Sequence, residues 1–117
     1  MLSRAHRFHG LNSLRRVYGQ GKTARGPLFS VKAIVNENRG TYRVAVVVSR
    51  KVHKSAVGRN RMRRRVYGAI AEIGDEINGP YDIVITIFQD SLISEPPAEL
   101  KKQLRGQLAA SGILRKS

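Results

Sequence analysis

Five arginines crowd the seven residues Arg59-Asn60-Arg61-Met62-Arg63-Arg64-Arg65, and an apolar stripe runs through the same stretch. Wound at about 3.6 residues per turn, Met62, Val66, Ala69, Ile70 and Ile73 share one side. Asn60, Arg61, Arg64 and Arg65 spread over the other. The spacing predicts a helix from about Ser55 to Ile77, stopped by Asn78-Gly79-Pro80, whose Val, Ile, Ala and Met face suits a sheet. The acids Glu72, Asp75 and Glu76 lie towards its far end. A helix dipole favours acids at the N-terminus and bases at the C-terminus, each contributing about 0.3–1 kcal/mol. Here both ends are charged the wrong way round. A solvated surface helix gains nothing from that arrangement, whereas a helix gripping polyphosphate does.

The charge of the whole chain is segregated in the same sense. Residues 1–65 carry 17 Lys and Arg against the single acid Glu37, while residues 66–117 carry 5 bases and 7 acids. A one-sided basic field points to a polyanionic partner. Membrane surfaces are polyanionic, but they call for an amphipathic helix with Trp, Phe or Leu opposite its bases. The chain has no Trp, and the arginine helix offers no such face. Nucleic acid fits better.

With 117 residues, 41% of them hydrophobic, the chain is expected to form one domain with a modest core. No cysteine is present, which excludes a disulfide framework and thiolate metal sites and fits a reducing cytoplasm. No window approaches 18 apolar residues, and the N-terminus lacks the apolar core of a signal peptide. A soluble, cytoplasmic protein is expected.

No repeat, low-complexity linker or domain boundary interrupts residues 1–117. Residues 1–10 read as a flexible basic arm. Asn12 or Ser13 could cap a short helix in which Leu11, Leu14 and Tyr18 recur, ended by Gly19 and Gly21. Phe29, Val31, Ala33 and Val35 alternate as in a strand from Leu28 to Val35, with Ser30 and Lys32 on its other face. Tyr42 to Arg50 reads as a second strand, apolar enough around Val44–Val48 to be central and buried on both sides. Tyr81 to Phe88 is a third. Ser94 is placed to cap a last helix carrying Leu100, Leu104 and Leu108, with Gly112 beyond its end. The order α-β-β-α-β-α predicts an α+β fold, a mixed sheet backed by helices.

Catalytic chemistry is poorly supported. His6, His9 and His53 are scattered through basic segments, where phosphate contact is a commoner role than general base. Asp82 and Asp90 have no partner at useful spacing, and Asp82 reads as an exposed residue at a strand start. Gly19-Gln20-Gly21 lacks the strand before it, the helix after it and the lysine of a phosphate loop. Nothing forms a metal cluster or a nucleophilic triad.

The residues around the arginine helix carry a more specific signal. Val47-Val48-Ser49-Arg50-Lys51-Val52, followed by Ala56-Val57-Gly58-Arg59-Asn60-Arg61-Met62-Arg63-Arg64, resembles the signature of the bacterial ribonuclease P protein component. That signature is a strand ending in Ser-Lys-Lys, a short loop, then a helix opening with Arg-Asn-Arg and further bases. His6-Arg7-Phe8, Val17-Tyr18 with Gly21, Tyr81-Asp82-Ile83-Val84 and the stretch from Leu100 to Leu114 extend the resemblance along nearly the whole chain.

The resemblance implies a single α/β sandwich whose β-α-β crossover is left-handed, against the usual right-handed preference. It implies the small subunit of a ribonucleoprotein in which a large RNA removes the 5′ leader from precursor tRNA with Mg²⁺, so the catalytic groups belong to the RNA. The implied partners are that catalytic RNA and precursor tRNA, with no membrane and no obligate protein partner. Arg59, Asn60, Arg61, Arg63 and Arg64 would form the RNA-docking set, with Arg65 an extra base and Ser49, Arg50 and Lys51 at the bordering strand end. Leu14, Tyr18 and Lys32 map to a cleft for the single-stranded leader. Leu14 and Lys32 both stand where family members can carry an aromatic ring. Stacking contributes about 1–3 kcal/mol per base, so leader binding here should lean more on charge. Tyr67 and Gly68 replace a common Arg-Glu pair and predict a looser middle for the helix, since glycine there costs about 1 kcal/mol relative to alanine.

Plainer readings stand beside these. Leu11, Leu14 and Tyr18 also make a helix-to-sheet packing stripe, and Lys32 also suits a solvated strand position. A ribosomal or other structural RNA-binding protein of related fold, with no processing role, is the alternative function.

Overall fold

The computed structural model describes residues 14, 17–19, 22–37, 40–77 and 79–114. The basic arm at 1–10, the capping positions Asn12 and Ser13, and Asn78 lie outside them. The elements are β1 (Lys22–Arg25), β2 (Phe29–Val35), β3 (Arg43–Val48), α1 (Ala56–Ile73), β4 (Tyr81–Ile87) and α2 (Pro97–Ala110), with 3-10 turns at Gly74–Glu76 and Asp90–Ser94. Leu14 and residues 17–19 are helical.

Helix α1 begins where its sequence says it should. Ser55 is extended, and its Oγ accepts a hydrogen bond from the Gly58 amide at 3.2 Å, a cap that contributes about 1 kcal/mol. Met62, Val66, Ala69, Ile70 and Ile73 are buried, as the stripe predicts, and Gly58 joins them. The helix runs unbroken through Tyr67 and Gly68. The Tyr67 hydroxyl accepts a hydrogen bond from the Val46 amide at 3.2 Å, fastening the middle of the helix to β3. The last turn tightens at Gly74, where the Tyr42 hydroxyl occupies the space a Cβ would need, so α1 ends at Ile73, short of Ile77.

The sheet order is β1-β2-β4-β3, with β3 and β4 parallel and the other pairs antiparallel. Two sequence expectations change here. Strand β3 is an edge strand, and β4 takes the inner position. Its apolar run reflects cover on both faces, because four of its six residues are buried although, among the described residues, β4 is the one strand paired with it. The edge strand β1 was not expected at all. Lys-Thr-Ala-Arg offers one apolar residue, and the strand is held instead by β2 and by Gln107 of α2. With its amide nitrogen facing the strands, Gln107 donates to Phe29 O at 3.0 Å and Ala24 O at 3.2 Å. Gly26 leaves room beside it, since a Cβ there would overlap the Gln107 amide and displace it.

One sheet face packs Phe29, Val31, Val44, Val46, Ile83 and Ile85 against the apolar sides of α1 and α2. The other face carries a smaller cluster, in which Val17 covers Ala45 and Val84 with Leu14, Ile34 and Val47 around them. Helix α2 starts at Pro97 rather than behind a serine cap. Ser94 lies in the preceding 3-10 turn, where its hydroxyl donates to Ser91 O at 3.2 Å, and a proline at the first helical turn is pre-set for helix entry. Gly112, at φ 78°, turns the chain out of α2.

Asp82 is a further correction. Far from being exposed, it is 1% accessible. Register places Ile34, Asp82 and Arg43 side by side across β2, β4 and β3. Arg43 grips both carboxylate oxygens at 2.9 Å, and Asn36 Nδ2 donates to Oδ2 at 2.8 Å. The carboxylate therefore closes one end of the sheet.

Candidate nucleic-acid interface

The arginine run divides into two kinds of residue. Arg59 is half-buried on a flank of α1, and its guanidinium donates to His53 O and Lys54 O at 2.9 Å each. It holds the 49–55 loop against the helix start. Arg65, on the opposite flank, donates to Leu92 O and Glu95 O and so ties the second 3-10 turn to α1. Between them, Asn60, Arg61 and Arg64 are exposed and Arg63 is half-exposed. Among the described residues no carboxylate pairs with Arg61, Arg63 or Arg64.

At the other end of α1 two of the three reversed acids find partners. Glu72 pairs with Lys101 and Glu76 with Arg105, each at 3.0 Å across to α2. These exposed pairs contribute about 0–1 kcal/mol each. They nevertheless give the C-terminal acids a reason that the N-terminal arginines lack, and they leave the positive field concentrated at one end of the helix. Tyr42, also at the C-terminal end, has its phenol pushed above the usual range by burial and then by the Asp75 charge. It stays protonated at neutral pH.

The loop after β3 extends the cationic face. Val52 and His53 donate from their amides to Ser49 O at 3.1 and 3.3 Å, a turn that leaves Ser49, Arg50 and Lys51 exposed. Gly58 lets the His53 ring lie directly on the first turn of α1, because a Cβ would overlap that ring.

The cleft residues expected from the sequence gather on the opposite sheet face. Leu14 is half-buried and packs on the Val17, Ala45 and Val84 cluster. Tyr18 is 42% exposed, so its ring is not core. Lys32 stands beside Val84 in the ladder and donates to Tyr18 O at 2.6 Å, with its ammonium 5.9 Å from the Tyr18 ring centroid. A cation above an aromatic face is geometry that a stacked base and its phosphate can use. Sequence reasoning missed a second pair on this face, Arg25 above the Phe88 ring at 4.5 Å. Its only signal is the Phe at the end of the third strand, since β1 itself was not legible.

The fold and these surfaces define a class, a basic α+β domain offering polyanion a cationic helix face and a separate cation–aromatic sheet face. The comparisons narrow it: the Ribonuclease P family model matches residues 2–111, and the chain belongs to that family. It is 30% identical over 115 residues to the ribonuclease P protein component of Pseudanabaena sp., covering 97% of each chain. It is 32% identical over 114 residues to that of Bacillus cereus strain G9842, again covering 97% of each. The Staphylococcus aureus RNase P protein superposes with a TM-score of 0.82 at 20% identity, over 96% of this chain and 100% of that one. The Thermotoga maritima protein gives 0.73 at 23% identity, over 83% and 89%. At these identities the structural matches establish the fold.

Proposed function

We propose that this chain is the protein subunit of a ribonuclease P, working in tRNA processing by binding a catalytic RNA and the 5′ leader of precursor tRNA. The observation that carries the reading is the group Asn60, Arg61, Arg63 and Arg64, set at the end of α1 without carboxylate partners among the described residues. Those side chains, with Ser49, Arg50 and Lys51, dock on the phosphates of the catalytic RNA. Arg59 and Arg65 act inside the fold, shaping the loop and the 3-10 turn that flank the docking face. The leader lies on the opposite sheet face, where Leu14 supports the helix that presents Tyr18, and Lys32 supplies charge.

The chemistry belongs to the RNA. Among the described residues no group of three or more His, Asp or Glu could hold a metal ion, and Asp82 is committed to Arg43 and Asn36. The Mg²⁺ expected for the reaction would be held by the RNA partner. By neutralising phosphates of catalytic RNA and leader together, the protein lowers the Mg²⁺ that the complex needs.

The experiment is cleavage of an unprocessed precursor tRNA at low Mg²⁺ by the catalytic RNA, with and without the full chain. The chain should raise cleavage strongly in the presence of the RNA and produce none alone. Equal cleavage with and without the chain removes the reading, and cleavage by the chain alone makes it a nuclease in its own right.

The two faces separate by mutation. Replacing Lys32 with Ala, or Tyr18 with Leu to keep its bulk, should leave binding to the catalytic RNA unchanged. The assembled complex should lose affinity for precursor tRNA by about fivefold or more for the lost ring, while affinity for mature tRNA holds. Equal losses for both tRNAs would place these residues in the fold or the docking face instead.

A further inference from the structure

Arg25 and Phe88 are absorbed neither by the core nor by the docking face. Phe88 continues the β4 ladder by one residue, its amide donating to Leu28 O at 3.0 Å. Strand alternation carries it to the same face as Val84 and Thr86. Arg25 opposes Ser30, which opposes Thr86, so it rises from that face too. Its guanidinium lies 4.5 Å from the Phe88 centroid. Phe88 is half-buried, Arg25 is exposed, and among the described residues the ring joins neither apolar cluster. The arrangement repeats the Lys32–Tyr18 pair on the same face. Phe88 is four residues beyond Val84, the partner of Lys32, or about 13 Å along the strand.

Direction follows from topology. Strands β3 and β4 are parallel, with Val48 opposite Ile87. Ser49, Arg50, Lys51 and the start of α1 therefore leave the sheet at the end where Phe88 stands. If the catalytic RNA meets that end, a leader leaving its active site reaches Phe88 before Tyr18.

We propose that Phe88 and Arg25 form a second stacking station for the precursor leader, on the cleavage-site side of Tyr18 and Lys32. This rests on the leader-cleft reading above and adds a residue pair and an order to it. An aromatic face stacks any base, and Arg25 supplies the cation for the adjoining phosphate, so the station reads leader length more than leader sequence. It supplies a ring to a cleft in which Leu14 and Lys32 offer none.

The test uses the full chain assembled with catalytic RNA and precursor tRNAs whose leaders are shortened stepwise from the 5′ end. Phe88→Leu should weaken binding of long-leader precursors by about 5- to 140-fold, and Phe88→Trp should restore it. The Phe88→Leu loss should persist at leader lengths for which Tyr18→Leu no longer has an effect, and should vanish with mature tRNA. The chain contains no Trp, so Phe88→Trp also introduces a single indole, whose fluorescence should be quenched by leader-bearing precursor and not by mature tRNA. Unchanged affinity of Phe88→Leu at every length overturns the proposal, as does a loss that extends to mature tRNA or one that disappears at longer leaders than the Tyr18→Leu effect. If Tyr18→Leu keeps its leader dependence while Phe88→Leu has none, only this proposal fails. If both lack it, the leader cleft fails and takes the proposal with it.

Discussion

Replacing Asp82 with alanine should destabilise the fold by about 3–5 kcal/mol, because it strands a guanidinium whose carboxylate partner is gone. The effect should fall nearer the lower figure, since the Arg43 side chain keeps 17% of its surface in contact with water. The loss combines the ion pair, the Asn36 hydrogen bond and the closure of β2, β3 and β4 at one end of the sheet. Chemical denaturation of Asp82→Ala measures it. A paired Asp82→Leu, Arg43→Met variant should recover part of the loss, because removing both charges leaves no unpaired ion in the interior, while the buried Asn36 amide still loses its Oδ2 acceptor. If Asp82→Ala unfolds at the same denaturant concentration as the parent, the network contributes nothing and the sheet end is held by apolar packing alone.

Converting Arg61, Arg63 and Arg64 together to alanine should weaken binding to the catalytic RNA by about 100- to 500-fold at 0.1 M monovalent salt. Each phosphate contact contributes about 0.7–0.9 to the log–log salt slope, and so about that many decades of affinity at 0.1 M. Arg61 and Arg64 are exposed and Arg63 is half-exposed beside the buried stripe, so thermal stability should change little. At saturating protein the cleavage rate should return to that of the parent, because these residues deliver affinity rather than reacting groups. A triple variant that binds as tightly as the parent would move the docking surface off this helix.

Much of this arrangement follows from spacing in the sequence. The stripe from Met62 to Ile73 defines which side of α1 is buried, and it thereby turns Asn60, Arg61 and Arg64 outwards. Phe29, Val31 and Ala33 place Lys32 on the other sheet face in the same way. What sequence cannot separate is one arginine from the next when the partner is backbone. Arg59 and Arg65 are chemically identical to Arg64, but they end on carbonyls of residues 53, 54, 92 and 95, and no side-chain pattern announces a carbonyl. Strand β1 is hidden for a related reason. Thr23 and Arg25 are exposed and Ala24 is only half-buried, so hydrogen bonding to β2 and Gln107 does what apolar alternation does elsewhere, and Arg25 over Phe88 becomes visible only with it. The burial of Asp82 is not legible in the sequence because its partners, Arg43 and Asn36, come from two other strand ends and meet it only through register. The apolar run of β3 signalled burial on two faces, but pairing on two edges is a separate property, and composition does not report it.

Whether the outward arginines of α1 meet RNA phosphate is read by a salt titration of catalytic-RNA binding, with Arg64→Ala beside Arg65→Ala. Both variants remove one positive charge from adjacent positions on one helix. If Arg64 contacts phosphate and Arg65 is spent on Leu92 O and Glu95 O, Arg64→Ala should reduce the slope by about 0.7–0.9, and Arg65→Ala should leave it unchanged. Equal reductions would mean that Arg65 meets phosphate as Arg64 does, and no reduction in Arg64→Ala would take the phosphate contact off this helix face.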